Sequence, residues 1–246
     1  MKGSTGEGNR SGQDARATKV LVVLPARNEE KSIGAVLDRI QELYPQLPVL
    51  VIDDASSDST AAVVESRPAV LLIRLPFWMG YGGALQTAYK YAVREGYDAV
   101  VQLDADGQHD PSSIAALLSH LPQTDVVVGS RFLQSDYPMS RFRRAGCRLL
   151  SWMAQRLTGM RVSDPTSGFQ ALNAKALQIA VQDHYPLDYP DIDVLILMHR
   201  YHLRVIEVPV TMYHAEQKVG MHEGLQVWYY AVKMMISIFV MMIRKA

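Results

Sequence analysis

Short runs of aliphatic residues alternate with amphipathic stretches through the first half of the chain. Residues 19–24, 48–52, 70–74, 99–103 and 126–129 each read as a strand. Within these runs apolar residues follow one another directly, as they do in strands covered on both faces. Between or beside them, residues 30–43, 59–66 and 83–95 carry apolar side chains at helical spacing. Strand and helix alternating over short connections predict an α/β protein with a mostly parallel central sheet and helices on both of its faces. Ligands on such sheets sit beyond the carboxyl ends of the strands.

Polar residues cluster where those ends fall. The first strand meets Pro25, Arg27, Asn28, Glu29 and Glu30, with Pro25 expected to stop it. The second runs into Asp53 and Asp54, and the run ending at Leu103 meets Asp104 and Asp106. At a strand end, residues i and i+2 share a face, so two carboxylates can converge on one divalent ion that also holds a diphosphate. A solvated turn is the plainer reading. A calcium loop opened at Asp104 fails on spacing, because His109 and Ala115 stand where Gly and Glu are required. Helix capping accounts for Asn28 to Glu30 and for Asp58, Ser59 and Thr60. It leaves Asp53 and Asp54 without a partner, and a ribose hydroxyl or a base N–H would supply one. Gly80-Tyr81-Gly82-Gly83-Ala84 departs from the dinucleotide fingerprint Gly-x-Gly-x-x-Gly and lies in a later unit. Its glycines read instead as a helix start lying close to a ligand or a strand.

The 246 residues, with 25 acids balancing 25 bases, suit one large domain and give no charge reason to bind nucleic acid. A lone Cys147 excludes an internal disulfide, and no apolar leader opens the chain, so a cytoplasmic location is expected. Residues 1–18 are Gly, Ser and charge, the composition of a disordered tail. Residues 222–246 read as an amphipathic helix: the run from Trp228 to Ile243 is short of the roughly 20 residues a membrane span needs. Its polar stripe passes through Gln226, Tyr230, Lys233, Ser237 and Arg244. The wide apolar face of 225–246 suits the protein's own core, a dimer mate, a membrane surface or a membrane-protein partner. Arg141, Arg143, Arg144, Arg148 and Arg156 are interleaved with Phe142, Leu149, Leu150, Trp152 and Met153. That pattern suits a helix against anionic lipid, or one packed on the sheet with solvated arginines.

Six segments then carry a resemblance. They are Leu24 to Glu29, Ile52 to Asp58, Leu103 to Pro111, Val128 to Phe132, Asp164 to Phe169 and Val205 to Val210. In this order they resemble family-two glycosyltransferases of GT-A fold, nearest the dolichol-phosphate mannose synthase-like branch. The likeness runs from about Val20 to Met221, which implies one transferase domain over 19–221. Its nucleotide-sugar half would be 19–131 and its acceptor half 132–221. By that resemblance Pro25, Arg27, Glu29 and Asp54 line the base pocket and Asp104 reaches the ribose or metal side. Asp106 with Gln108 would hold Mg²⁺ or Mn²⁺. Arg131, Ser167 and Gly168 would face phosphate oxygens near the acceptor, and Lys218 would stand in an acceptor loop. Asp193, and after it Asp191, occupy the place of an acceptor-side Glu, one methylene shorter. A second departure is Phe77-Trp78-Met79, where such sequences carry Asn ahead of the glycines.

The implied reaction inverts the anomeric carbon of a UDP- or GDP-linked sugar. A lipid phosphate acceptor, polyprenyl phosphate above all, needs no base, because its second pKa of about 6 leaves it largely dianionic. A sugar hydroxyl does need one. Transfer to a hydroxyl and a non-catalytic sugar-nucleotide-binding subunit are the alternatives. A nucleotidyltransferase lacks its glycine-rich loop here.

Overall fold

The computed structural model describes residues 18–133, 141–187 and 192–213. The expected tail, apart from Thr18, and the expected helix at 222–246 lie outside them. The elements follow in the order β1 (Val20–Ala26), α1 (Ile33–Leu43), β2 (Val49–Asp53), α2 (Thr60–Glu65), β3 (Val70–Arg74), α3 (Tyr81–Arg94), β4 (Ala99–Gln102) and α4 (Ile114–His120). Then come β5 (Val126–Ser130), α5 (Arg141–Thr158), β6 (Gln170–Asn173), α6 (Ala174–Ala180), α7 (Ile192–Arg200) and β7 (Val205–Pro209).

One sheet joins the strands in the order β3-β2-β1-β4-β6-β5-β7. The five strands expected from aliphatic runs are all present; β2 and β4 are buried throughout, and β1 is buried from Leu21 onward. Alternate residues of β1 feed two cores. Leu21 and Val23 pack with α3, α6 and α7, while Val22 and Leu24 pack with α1, α2 and α4. Helices therefore cover both faces, as the unalternated strands require.

Two local expectations change. Pro25 does not end β1, which pairs with β2 as far as Ala26 and Asp53. The β1 to β4 ladder stops at Val23, and Val22 sends its amide toward β2 while Val23 turns its carbonyl toward β4. The missing N–H of Pro25 thus points where no ladder remains to be broken. The strand at 170–173 was not expected. It runs antiparallel between β4 and β5, so its amino end, preceded by Ser167, Gly168 and Phe169, arrives at the carboxyl edge of the others. A strand from beyond residue 131 is thereby inserted among those before it, and the two halves of the domain share one sheet.

The glycine run serves a close approach. Gly83 donates its amide to the Leu187 carbonyl at 2.9 Å. A Cβ on Gly82 would lie 2.7 Å from the carbonyl carbon of Leu187 and closer still to the Pro186 oxygen. The start of α3 is thus pressed on the backbone of 186–187, which only glycine allows. Gly82→Ala should lower stability by about 1–3 kcal/mol through overpacking against backbone, read as a lower urea midpoint, whereas Gly146→Ala, with no atom within 4 Å of the added carbon, should not.

Candidate active site

The order of strands reverses at β1, whose neighbours are β2 and β4, and a crevice opens at such a switch point. Asp104 and Asp106 follow β4 there, and Asp53 and Asp54 end β2. Asp53 and Asp54 are 2% and 3% exposed, and a carboxylate so buried needs donors. The chain supplies them. Asp54 accepts from the amides of Met79 at 2.7 Å and Gly80 at 3.0 Å. Asp53 accepts from the Ser56 amide at 3.1 Å and lies 3.8 Å from Arg74. The expectation that these two carboxylates lack partners within the protein is corrected accordingly: backbone amides 3 to 26 residues away fill the role.

The loops after β1 and β2 are stitched together. Asn28, at φ 55°, takes the Ser57 amide on Oδ1 at 2.8 Å. Glu29 gives its amide to Thr60 Oγ1 at 2.8 Å, and its carboxylate accepts from the Ser32 hydroxyl at 2.9 Å. Glu30 and Asp58 exchange caps across the seam, Glu30 accepting from Ser59 and Asp58 from Glu30. Arg27 donates weakly to the Asp54 carbonyl at 3.4 Å and lies over the Trp78 ring at 4.8 Å.

Asp104 is held from three sides. Tyr81 donates its hydroxyl to Oδ1 at 2.7 Å. His109, 4% exposed and stacked on Phe169, accepts the Asp104 amide on Nδ1 at 3.0 Å. An accepting Nδ1 leaves the ring proton on Nε2, which lies 3.6 Å from Asp104 Oδ2. Gly168 forms the third wall: a Cβ there would lie 2.5 Å from the Tyr81 oxygen and 3.0 Å from Asp104 Oδ1. Burial, then the Asp104 charge, pushes the Tyr81 hydroxyl well above its usual pKa of 10, so it stays a donor at any working pH.

Asp106 belongs to a tight turn. Gly107 takes φ 81°, and Gln108 gives Asp106 both its backbone amide, at 3.0 Å, and its side-chain amide. Among the described residues no three His, Cys, Asp or Glu side chains gather into a metal cluster. Two carboxylates and one carboxamide nevertheless make an all-oxygen donor set once the Gln108 amide turns over. Such a set suits Mg²⁺ or Mn²⁺ sharing its remaining positions with phosphate oxygens. Tyr213, where the described chain stops, ties back to this turn through its amide on the Gln108 carbonyl at 2.7 Å and its hydroxyl on Asp110 at 2.8 Å.

On the other side of Gly168 the expected acceptor residues face inward. Arg131 grips Asp164 with two nitrogens, at 2.6 and 3.2 Å, and Asp164 is fully buried. The Ser167 hydroxyl is buried and donates to the Gly129 carbonyl at 2.5 Å. Asp193, 5% exposed, stands in the first turn of α7. Burial, then Tyr89 and the Asp193 charge, raise the pKa of Tyr185. Tyr185 meets Tyr89 edge-on at 5.7 Å, Tyr89 donates to Gln102, and Gln102 donates to the Gly168 carbonyl at 3.1 Å. Tyr185, Tyr89 and Gln102 thus form a buried line that ends on the wall of the Asp104 site. Asp191 and Lys218 lie outside the described residues. Tyr81 and His109 carried no assigned role in the sequence; an aromatic ring set among three glycines at a helix start was the signal available.

A mixed sheet with acidic turns at its switch point is the scaffold of a nucleotide-dependent transferase. The chain belongs to glycosyl transferase family 2, whose pattern matches residues 21–179, and its fold is GT-A. It is 29% identical over 213 residues to the undecaprenyl-phosphate mannosyltransferase of Micrococcus luteus, covering 80% of this chain and 85% of that one. It is 26% identical over 219 residues to the polyprenol monophosphomannose synthase of Mycolicibacterium smegmatis, covering 84% and 82%. The glucosyl-3-phosphoglycerate synthase of Mycobacterium tuberculosis, solved with Mn²⁺, UDP and phosphoglyceric acid, superposes with a TM-score of 0.67 at 20% identity, covering 90% of this chain and 79% of that one.

Tyr81→Phe keeps the ring and removes the donor to Asp104. It should cut kcat/KM on the order of tenfold, the effect of one lost charge-assisted hydrogen bond, with a melting temperature within a few degrees of wild type; steady-state kinetics beside a thermal melt check both.

Proposed function

We propose that this glycosyltransferase moves a sugar, with inversion, from a nucleotide-diphosphate donor to a lipid phosphate, polyprenyl phosphate being the acceptor class. The observation that supports the donor side is that Asp104, Asp106 and Gln108 follow β4 in one short stretch of chain at the switch point, with Gln108 hydrogen-bonded to Asp106. The acceptor follows from relatives named as undecaprenyl- and polyprenol-phosphate transferases.

Asp106 and Gln108, with Asp104 beside them, would hold Mg²⁺ or Mn²⁺, which when bound offsets the charge of the departing nucleotide diphosphate. Pro25, Arg27, Glu29 and Asp54 frame the nucleoside end. The Asp104 clamp fixes its carboxylate for the ribose or diphosphate side without a mobile rotamer. Gly168, having no side chain, lets the 164–169 turn close on Asp104 and Tyr81 and wall that side of the site. An acceptor phosphate oxygen forms the new bond to the anomeric carbon while the bond to the nucleotide diphosphate breaks. No proton has to be removed from a dianionic phosphate. Arg131 keeps Asp164, and with it the turn before Gly168, in place; Ser167 does the same through Gly129. Lys218 and Asp191 are assigned to the acceptor side on resemblance. Asp193 is assigned there too, as a helix-start carboxylate the reaction does not need as a base.

Among the described residues no helix is long and apolar enough to cross a membrane. Access to a lipid phosphate would then come through peripheral docking at the cytoplasmic face by residues 225–246, on a membrane surface or a membrane-protein partner.

Nucleotide sugars tested in a thermal-shift panel should raise the melting temperature only with Mn²⁺ or Mg²⁺, and Asp106→Asn should abolish the metal-dependent part; indifference to every nucleotide would sink the donor reading. With polyprenyl phosphate as acceptor, Asp193→Asn should cost far less than the roughly 10²- to 10⁴-fold that loss of a general base exacts. A loss of that size in a radiolabelled-sugar transfer assay would favour a hydroxyl acceptor.

A further inference from the structure

Three large apolar side chains in succession stand in water at the carboxyl edge of the sheet: Phe77 and Trp78 are each 65% exposed and Met79 is 38% exposed. Single exposed apolar residues are ordinary, but a contiguous exposed group marks a surface with an occupant. The segment is not displayed by a loose loop. Asp54 holds the Met79 and Gly80 amides, and the Asp53 carbonyl takes the Leu75 amide at 2.9 Å. Trp78 is thus presented from a backbone pinned to the end of β2.

Across the Trp78 ring, at 4.8 Å, stands the Arg27 guanidinium, itself tethered to the Asp54 carbonyl. Arg27 follows β1 and Trp78 follows β3, so the pair spans the ends of β1, β2 and β3. The acidic site lies at the end of β4, with Gly168 and the 164–169 turn beyond it on the β6 side. A nucleotide sugar whose diphosphate is held at Asp106, with its sugar toward the 164–169 turn, directs its base the other way, over β1 to β3. The pair stands there.

We propose that Trp78, backed by Arg27, is the stacking platform for the nucleobase of the donor and the determinant of affinity at that end. The proposal rests on the nucleotide-sugar reading above. A ring face gives stacking energy to any base, and a cation behind the indole fixes its plane. Base recognition in this chain therefore uses a π surface. Selection between uracil and guanine is left to polar groups around the plane.

The test is calorimetric titration of wild type, Trp78→Ala and Trp78→Phe with UMP and GMP without metal, and with UDP and GDP in the presence of Mn²⁺. Trp78→Ala should weaken whichever nucleotide binds by about 5- to 100-fold, and by the same factor for the monophosphate as for the diphosphate with Mn²⁺. Trp78→Phe should recover most of that loss. In turnover, Trp78→Ala should raise KM for the donor more than it lowers kcat, with an unchanged melting temperature. Equal binding by wild type and Trp78→Ala overturns the platform and leaves the donor reading intact. A loss confined to diphosphates overturns it too, since it would place Trp78 at the phosphates. So would a Trp78→Ala protein that binds nucleotide normally but no longer binds vesicles containing anionic phospholipid. Wild type that binds no nucleotide sinks both readings.

Discussion

Buried negative charge is the constraint around which the carboxyl edge is built. Asp53, Asp54 and Asp164 are almost wholly removed from water, and Asp104 is partly so. Each such group costs several kcal/mol unless it is hydrogen-bonded. Asp164 alone has a close guanidinium, that of Arg131 at 2.6 Å. Asp53, Asp54 and Asp104 are held mainly by neutral donors: backbone amides for the first two and a tyrosine hydroxyl for the third. Neutral donors satisfy a carboxylate without cancelling its charge. The edge therefore keeps negative charge, which under the proposed function would draw a divalent ion to it.

The same requirement explains why the loops are so closely joined. The donors to Asp54 come from the β3–α3 connection, the donor to Asp104 from the first residue of α3, and the cap of Asp58 from the loop after β1. Each carboxylate fastens one connection to the next, so the rim of the crevice is cross-linked by the groups that define its chemistry. On the far side, Glu207 of β7 accepts the amides of Ser163 and Asp164 at 2.7 and 2.8 Å, extending the pattern to the turn before Gly168.

Much of this was legible in the chain. Strands buried on both faces announce themselves as unbroken aliphatic runs, and an acidic pair at the end of one such run marked the switch point. The strand β6 was not legible: its four residues, Gln-Ala-Leu-Asn, include no β-branched side chain, and Asn173 doubles as the cap of α6 through its bond to the Ala176 amide at 3.0 Å. The donors to the aspartates were hidden for a different reason. Tyr81 and the amides of Met79 and Gly80 reach their carboxylates across 23 to 26 residues, and no local pattern encodes a contact at that range. The glycines of 80–83 did signal a close approach, but the partner, the backbone of 186–187, is a hundred residues away.

The antiparallel placement of β6 also bears on how such a protein diversifies. Because β5 ends and β6 begins at one edge of the sheet, everything from Arg131 to Phe169 is an excursion whose two ends lie side by side: Gly129 meets the Phe169 carbonyl at 2.8 Å, and Arg131 meets Asp164. The insert is also anchored along its length, because Ala154 and Val162 are buried and Leu150, Met153 and Leu157 pack on the core that holds α7. The segment is thus fixed twice, by hydrogen bonds where it leaves and re-enters the sheet and by the buried face of α5, so a change of length is tolerated in its connections sooner than in the helix itself.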